Sequence, residues 1–171
     1  ANMECCLRLW RKEDAPDLAA AINNPKILDC LRDGLPYPYL EKDALEFINA
    51  MAQHQGKQEA FPFAITVNDR AIGSIGVFRK DNIHYRTAEL GYYLAEQYWG
   101  QGIGTSAVKQ MCEFIFLKTD IVRIFAMPFS HNLASCRVLE KAGFVLEGEL
   151  RKNVVKNGEF YNMKMYSLLK D

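Results

Sequence analysis

The spacing of apolar residues alternates along the chain between a period of two and a period near 3.6, which separates strands from helices. Alternating or β-branched runs predict seven strands, at residues 5–10, 61–67, 71–78, 85–95, 121–126, 144–150 and 160–168. Helical spacing predicts helices over residues 15–22, 25–31, 41–54, 103–118 and 132–142, and Asp14 is a candidate cap for the first of them. Turn residues at 68–70 and 156–158 predict hairpins, and Gly143 is typical of a helix end. The order of these elements predicts one mixed α/β domain over residues 1–171, without a linker.

Composition narrows the classes of function. Among the 171 residues, 49% are apolar and 25% charged, and the formal net charge is zero, which argues against non-specific nucleic-acid binding. No apolar run approaches the roughly 20 residues that span a bilayer, so we expect no membrane segment. The odd number of cysteines, without a CxxC pair, predicts reduced thiols in a cytoplasmic protein. His54, His84 and His131 lack the spacing of metal ligands, so we expect no metal site.

A glycine-rich segment lies between a predicted strand and a predicted helix. Gly100, Gly102 and Gly104 alternate there, in the sequence Trp99 to Thr105. Glycine lets backbone N–H groups approach a ligand, and the free N–H groups of a helix start suit a pyrophosphate. The segment therefore predicts a nucleotide-binding loop, with a simple chain-reversing turn as the alternative.

The kind of nucleotide is restricted by what surrounds these glycines. No Gly-Lys-[Ser/Thr] sequence is present, which excludes a P-loop. Gly102-x-Gly104-x-x-Ala107 matches a relaxed dinucleotide fingerprint, but that fold needs an acidic residue at the end of the next strand. Asp120 precedes the next strand, at the wrong end. A nicotinamide-dependent enzyme therefore stays only as a minor hypothesis.

Two sequence blocks carry a family resemblance. The block at residues 89–107, ELGYYLAEQYWGQGIGTSA, resembles the core motif of the GCN5-related N-acetyltransferase (GNAT) superfamily. The block at residues 132–144, NLASCRVLEKAGF, resembles the following helix of that superfamily. Similarity extends over most of the chain, from residues 7–9 near the start to residues 158–161 near the end. The pair most resembles the branch of ribosomal-protein N-terminal (RimJ/RimL-like) and related small-amine acetyltransferases.

The resemblance implies the fold and the cofactor. The implied GNAT fold is an α+β type of α/β fold. It is a mixed, mostly antiparallel seven-stranded sheet with splayed central parallel strands and about four helices. Acetyl-CoA would bind with its pantetheine arm along the backbone near Leu94 and Ala95, and Asn132 would bond that arm or cap its helix. The pyrophosphate would lie on the loop residues, which are Gly100, Gln101, Gly102, Ile103, Gly104 and Thr105. Trp99 stands where the superfamily usually has Gln or Arg, so we expect backbone donors to dominate there.

Candidates for catalysis come from the same comparison. Direct transfer to an amine needs a base for the ammonium proton and a donor near the departing thiolate. Glu89 is the candidate base, on the strand face that alternation gives to Gly91 and Tyr93; a structural carboxylate is the alternative. Leu139 stands where many members have a tyrosine. The branch that this sequence resembles instead has a serine, which Ser135 matches, so the resemblance makes Ser135 the candidate donor and a cofactor contact; a helix-surface or capping hydroxyl is the alternative. A second glutamate of some branch members is absent, since residues 153–154 are Asn-Val.

The acceptor is a primary amine by this resemblance, either a protein N-terminus, a polyamine or another small amine. Tyr37, Tyr39 and Tyr161 fall in segments that resemble the acceptor-side loops, so they are candidates for the amine pocket. The sequence predicts neither the acceptor nor the oligomeric state. A non-catalytic acyl-CoA-binding regulatory module is the alternative function, because the usual tyrosine and second glutamate are missing.

Overall fold

The computed structural model describes residues 4–54 and 56–171, and it contains a seven-stranded sheet with helices on both faces. The strands are β1 Cys6–Arg8, β2 Ala60–Val67, β3 Arg70–Arg79, β4 Thr87–Leu94, β5 Arg123–Ala126, β6 Val145–Lys156 and β7 Glu159–Leu169. The helices are α1 Ala15–Ile22, α2 Pro25–Leu28, α3 Glu41–Ala52, α4 Ile103–Lys118 and α5 Leu133–Lys141. The strand order is β1-β2-β3-β4-β5-β7-β6, with β4 and β5 parallel and the other neighbours antiparallel.

Both predicted hairpins are present, with adjusted ends. Asn68 and Asp69 have φ angles of 51° and 61°, and Asn157 and Gly158 have 52° and 79°. Two consecutive positive φ angles define the two-residue turn whose twist matches paired strands. Arg70, predicted in the turn, is therefore the first residue of β3.

Asp14 precedes the first helix at the predicted cap position, but its side chain has another role. Its carboxylate accepts hydrogen bonds of 2.8 Å from the Arg8 guanidinium and from the Arg11 N–H. Burial alone would raise the pKa of Asp14, but these bonds from Arg8 and Arg11 outweigh it and lower the pKa. The Asp14 side chain therefore joins the segment after β1 to Arg8 of that strand through hydrogen bonds, and it does not cap α1.

Several predicted elements are longer than the observed ones, and in three of them a local hydrogen bond or turn gives the reason. The helix predicted over residues 25–31 ends at Leu28, since Cys30 and Leu31 bond three residues back in turns. The strand predicted from residue 85 begins at Thr87, after a 3₁₀ turn over Asn82–His84. The strand predicted from residue 121 begins at Arg123, because the Ile121 N–H bonds the Thr119 hydroxyl.

Two apolar clusters pack against opposite faces of the sheet. The larger joins β3, β4, β5 and β7 to α4 and α5; its fully buried members include Ile75, Ile103, Met111, Ile124 and Leu139. The smaller joins β2 and β3 to α1 and α3 and includes Trp10, Leu18, Ile22 and Ile48. Burying one such side chain stabilises the fold by about 1.5–3 kcal/mol, so both layers are held mainly by apolar contact.

The sheet opens between β4 and β5. These strands pair only from Thr87 to Glu89, against Arg123–Phe125. Beyond that point the chain after β5 follows β7, since the Ser130 N–H donates to the Asn162 carbonyl at 2.8 Å. The chain after β4 instead turns into a 3₁₀ segment over Glu96–Tyr98. The parallel strands therefore splay and leave a cleft, as the GNAT resemblance implies.

Some features of the described residues bear on the class of protein. No helix within residues 4–54 and 56–171 is both long and apolar enough to cross a bilayer. All five cysteines lie in this part of the chain and are free thiols. In the same residues, no three His, Cys, Asp or Glu side chains are grouped as a metal ion would require.

Candidate active site at the split of the sheet

The glycine segment forms the start of α4, at the open end of the cleft. Gly102 precedes the helix with φ 80° and ψ 0°, a left-handed conformation that favours glycine. The first helical hydrogen bond runs from the Ser106 N–H to the Gly102 carbonyl, at 3.1 Å. The earlier N–H groups, from Ile103 to Thr105, have no partner within the helix, and no side chain caps them. These donors and the positive end of the helix dipole suit a pyrophosphate.

Gly104 lies where α4 packs against both β4 and α5. A Cβ atom on Gly104 would be 3.4 Å from both the Tyr92 ring and a methyl group of Val138. Any larger side chain would displace these two residues or project into the cleft. Close packing therefore restricts residue 104 to a small side chain, whereas the left-handed backbone conformation favours glycine at residue 102.

The backbone of β4 presents unpaired peptide groups to the cleft. The Ala95 N–H donates to Ile72 at 2.8 Å, so the odd-numbered residues of β4 bond to β3. The even-numbered residues consequently face β5, which is absent beyond Glu89. The peptide N–H groups of Tyr92 and Leu94 therefore line the cleft. This is the kind of strand edge that an extended amide-containing arm can pair with.

Ala95 differs from the prediction for a pantetheine-binding backbone. Its N–H bonds the Ile72 carbonyl and its carbonyl accepts from the Tyr98 N–H at 3.0 Å. Both polar backbone groups of Ala95 are thus used inside the protein, which leaves Tyr92 and Leu94 as the available positions. The Leu94 carbonyl accepts a 2.9 Å hydrogen bond from the indole N–H of Trp99. Trp99 therefore fixes the end of β4, and the donors of the glycine segment are backbone groups.

The cleft wall opposite β4 is the first turn of α5. The Asn132 side chain accepts from the Ser135 N–H at 3.2 Å and so caps this helix. The Ser135 hydroxyl lies beside the phenol of Tyr92. Burial raises the pKa of Tyr92 above its ordinary value, and the adjacent Ser135 hydroxyl opposes that effect only in part. The Tyr92 phenol therefore stays protonated at neutral pH and can donate a hydrogen bond together with Ser135.

Glu89 lies on the opposite face of β4, at the last residue that pairs with β5. Its side chain is 37% exposed, and a carboxylate oxygen lies 3.7 Å from the Lys80 ammonium. The same ammonium lies 5.6 Å from the centre of the Phe125 ring. Glu89 is thus a solvent-accessible carboxylate beside the point where the cleft begins, and it is separated by β4 from the Ser135 side.

The three tyrosines predicted for the amine pocket have different environments. Tyr37 is exposed, whereas Tyr39 is only 4% exposed and packs against α1 and α3. Burial raises the pKa of Tyr39 to about 12, and its hydroxyl donates to the Asp43 carbonyl. Tyr161 lies near the rings of Phe129 and His131, at 5.6 and 5.1 Å between centres. Tyr161 therefore borders the end of the cleft where β5 has turned toward β7, and Tyr39 belongs to the core.

The other end of the sheet holds a separate feature. Asp120 forms a 2.8 Å ion pair with Arg79 and borders a depression of about 750 Å³ between the end of β3 and the end of α4. This depression is remote from the glycine segment, so it is not part of the cleft. Asp120 cannot meet the ribose of a dinucleotide bound at α4, which agrees with the sequence argument.

Two residues of the site were not predicted from the sequence. Alternation along β4 places Tyr92 on the face opposite Glu89, and a tyrosine there brings a hydroxyl to the start of α5. Lys80 lies just beyond β3 and carries no motif; only the register of β3 and β4 brings it to Glu89. The alternation of residues along β4 could have predicted the position of Tyr92 in the site. No pattern in the sequence around Lys80 predicts its contact with Glu89.

Known proteins provide an independent comparison. The family model described as "Acetyltransferase (GNAT) domain" matches residues 4–145. The probable N-acetyltransferase YjcK of Bacillus subtilis is 38% identical over 66% of this chain, and the match spans 64% of that protein. The uncharacterised N-acetyltransferase YoaA of the same organism is 29% identical over 96% of this chain and 92% of its own length.

A solved structure shows the same fold over the whole chain. The ribosomal-protein-S5-alanine acetyltransferase of Vibrio fischeri has a TM-score of 0.87 and 23% identity, covering 100% of this chain and 97% of that one. The free helix N-terminus and the unpaired β4 edge fit the pyrophosphate and amide-containing arm of coenzyme A. The chain therefore belongs to the GNAT family of N-acetyltransferases, whose acetyl donor is acetyl-CoA.

Proposed function

We propose that this protein transfers the acetyl group of acetyl-CoA directly to a primary amine, either a protein N-terminus or a small amine such as a polyamine. The observation that carries the proposal is the cleft itself. A carboxylate, Glu89, flanks it on one face of β4, and two hydroxyls, of Tyr92 and Ser135, flank it on the other. Acid and base groups on opposite sides of one opening suit a transfer in which the two substrates meet inside it.

Acetyl-CoA supplies the acyl group as a thioester. The protein residues that would hold it are the N–H groups from Ile103 to Thr105 for the pyrophosphate, with Gly100 and Gln101 in the preceding turn. The peptide groups of Tyr92 and Leu94 would pair with the pantetheine arm. Asn132 holds the first turn of α5 in place and, with Ser135, lines the other wall.

Glu89 is the base in this proposal. The acceptor arrives as an ammonium ion and must lose a proton before its nitrogen can attack. The Glu89 carboxylate is accessible and adjoins the start of the cleft, so it can take that proton directly or through water. The Lys80 ammonium 3.7 Å away offers an opposing charge, so the acceptor must displace this contact to reach the carboxylate.

The hydroxyls of Ser135 and Tyr92 are the donors on the other side. A thiolate leaving group is stabilised by a nearby hydrogen-bond donor. Tyr92 provides the hydroxyl that Leu139, a buried core residue, cannot provide at the position where many members of the family have a tyrosine. The resemblance to an S5-alanine acetyltransferase supports an α-amine as one acceptor class.

The experiment is an acetylation screen with purified protein and acetyl-CoA. Peptides that begin with alanine or serine, spermidine and free amino acids are assayed side by side, with release of the CoA thiol and product mass as readouts. The proposal predicts time-dependent acetylation of a primary amine in at least one class. CoA binding without turnover of any amine would contradict it and favour a non-catalytic acyl-CoA-binding module.

A further inference from the structure

A glycine in the middle of the sheet is exposed. Gly91 belongs to β4, the fourth of seven strands, yet it is exposed to solvent. Its neighbours on the other face of the strand, Leu90 and Tyr92, pack against the larger apolar cluster. The helices on the opposite face cover Tyr93 but do not reach Gly91. One face of this central strand is therefore left uncovered by helices at Gly91.

Neither conformation nor packing requires glycine at this position. Gly91 is absent from the residues with positive φ, so its backbone is one that any residue can adopt. A Cβ atom built on it would meet nothing within 4 Å. Gly104, by contrast, is closely packed, and Gly102 has a left-handed conformation. Neither the backbone conformation nor the packing of the fold thus explains why residue 91 has no side chain.

The residues around this space define a slot with one charged end. The register partner of Gly91 on β3 is Gly76, a second residue without a side chain. The ring of Phe78 leans over Gly76, since a Cβ there would lie 2.7 Å from it. Phe78 itself is 43% exposed. Glu89 lies two residues from Gly91 on the same face, roughly 7 Å along the strand.

The slot adjoins the point where the sheet splits. Glu89 is the last β4 residue paired with β5, and Gly91 is the next residue on that face. A molecule lying on Gly91 can therefore reach the cleft from the side opposite to α4 and α5. It would place a cationic end beside the Glu89 carboxylate and an apolar segment against the Phe78 ring, a combination that suits an alkylammonium group.

We propose that Gly91 is a specificity-determining residue: its missing side chain is the floor on which the carbon chain next to the acceptor amine lies. The inference rests on the proposed acetyl transfer to an amine. The acceptor approaches over the face of Gly91 and Glu89, whereas acetyl-CoA occupies the face of Tyr92 and Gly104. A side chain at residue 91 consequently excludes the amine without touching the cofactor.

The test substitutes valine for Gly91. Valine favours strands and has room at this position, so we expect the fold to be kept. Gly148→Val is the matched control, because Gly148 is also a strand glycine with nothing within 4 Å of its Cβ position. It lies on β6, three strands from β4 and therefore about 14 Å away. The probes are an alanine-starting hexapeptide, spermidine and n-butylamine, assayed with each variant.

Three measurements separate the outcomes. We expect Gly91→Val to lower kcat/KM at least 100-fold for every probe that the wild type acetylates, with Gly91→Ala in between. For Gly91→Val, the Kd for CoA should stay within twofold of wild type and the Tm within 2 °C. For Gly148→Val, the same limits should hold, and kcat/KM should also stay within twofold of wild type. Unchanged kcat/KM in Gly91→Val, or an equal loss of CoA affinity, would overturn the inference. If the wild type acetylates no amine, the proposed function fails instead.

Discussion

The two faces of β4 are built in different ways. The face of Tyr92 and Leu94 is packed against α4 and α5, and close contacts such as Gly104 against Tyr92 define it. The face of Glu89 and Gly91 is open and is defined by missing side chains and a single ion pair. In the function proposed above, the two faces of this one strand would serve two substrates, with backbone donors for the cofactor and open space for the acceptor.

The largest expected effect comes from the carboxylate on the open face. Glu89→Gln should lower kcat by about 10²–10⁴-fold at pH 7, because the base for the ammonium proton is lost. The Kd for CoA should not change, since Glu89 lies on the other face from α4. Steady-state kinetics and calorimetry measure the two quantities. Glu149→Gln, an exposed strand glutamate on β6, is the control, and a Glu89→Gln variant with full kcat would remove Glu89 from the base role.

The packed face is tested by enlarging Gly104. Leucine at this position must displace Tyr92 and Val138, because even a Cβ atom would lie 3.4 Å from each. We expect the Kd for CoA to rise about 100-fold while the relative preference among acceptor amines is kept. Calorimetry with CoA and competition between two amines give these values. A change in acceptor preference without loss of CoA affinity would show that the two faces are not separate.

A smaller effect is expected from the hydroxyls. Ser135→Ala and Tyr92→Phe should each lower kcat about tenfold, because each removes one donor near the leaving sulfur and leaves the other. The double variant should lose more than either single one, and all three should bind CoA within a few-fold of wild type. Pre-steady-state assays measure the chemical step. If the single and double variants keep the kcat of wild type, the hydroxyls only fill space.

The smallest effect on activity is expected from Asp14, which lies in the scaffold away from both faces. Its folded pKa is lowered, so its contribution to stability is present above the unfolded pKa and is lost as the pH falls through the folded pKa. Asp14→Asn leaves Arg8 half-compensated and should lower the unfolding free energy by about 2–4 kcal/mol at pH 7.

The measurement for Asp14 is urea unfolding at pH 7 and below pH 4, together with kcat/KM at 25 °C. The difference between wild type and Asp14→Asn should shrink at the lower pH, where the Asp14 carboxylate is protonated first in the unfolded chain and then in the folded protein. Activity should stay within twofold. Asp43→Asn is the control variant. The Asp43 carboxylate accepts a hydrogen bond from the Leu40 N–H at the start of α3. A constant difference at both pH values would show that Asp14 acts without its charge.

The sequence predicted the elements around the glycine segment far better than the contacts between strands. The order of elements, the hairpins and the bounds of α4 follow from local periodicity and turn residues, and the free N–H groups at the start of α4 follow from local backbone geometry. The pairing of Lys80 with Glu89 and the alignment of Gly76 with Gly91 depend on strand register, which no local pattern encodes. The backbone bonds of Ala95 were likewise not predictable from a local pattern, since they depend on β3 and on the turn that follows β4.

The burial of the tyrosines in the proline-rich loop was also not predictable from the sequence. Tyr37 and Tyr39 are two residues apart and look alike in the sequence, yet one is exposed and the other is part of the core. An aromatic residue in a proline-rich loop can pack inward or outward, and only the position of α1 and α3 decides it. Tyr161 remains a prediction for the acceptor side, near His131.

The most direct test is hydrogen exchange at the β4 backbone amides, measured by NMR with and without CoA. In the free protein, the N–H groups of Tyr92 and Leu94 face the open cleft, whereas those of Gly91 and Tyr93 bond to β3. We predict at least 100-fold faster exchange at Tyr92 and Leu94 than at Gly91 and Tyr93, and saturating CoA should remove most of that difference. Equal rates in the free protein, or fast exchange that persists with CoA bound, would contradict a cofactor held along this edge.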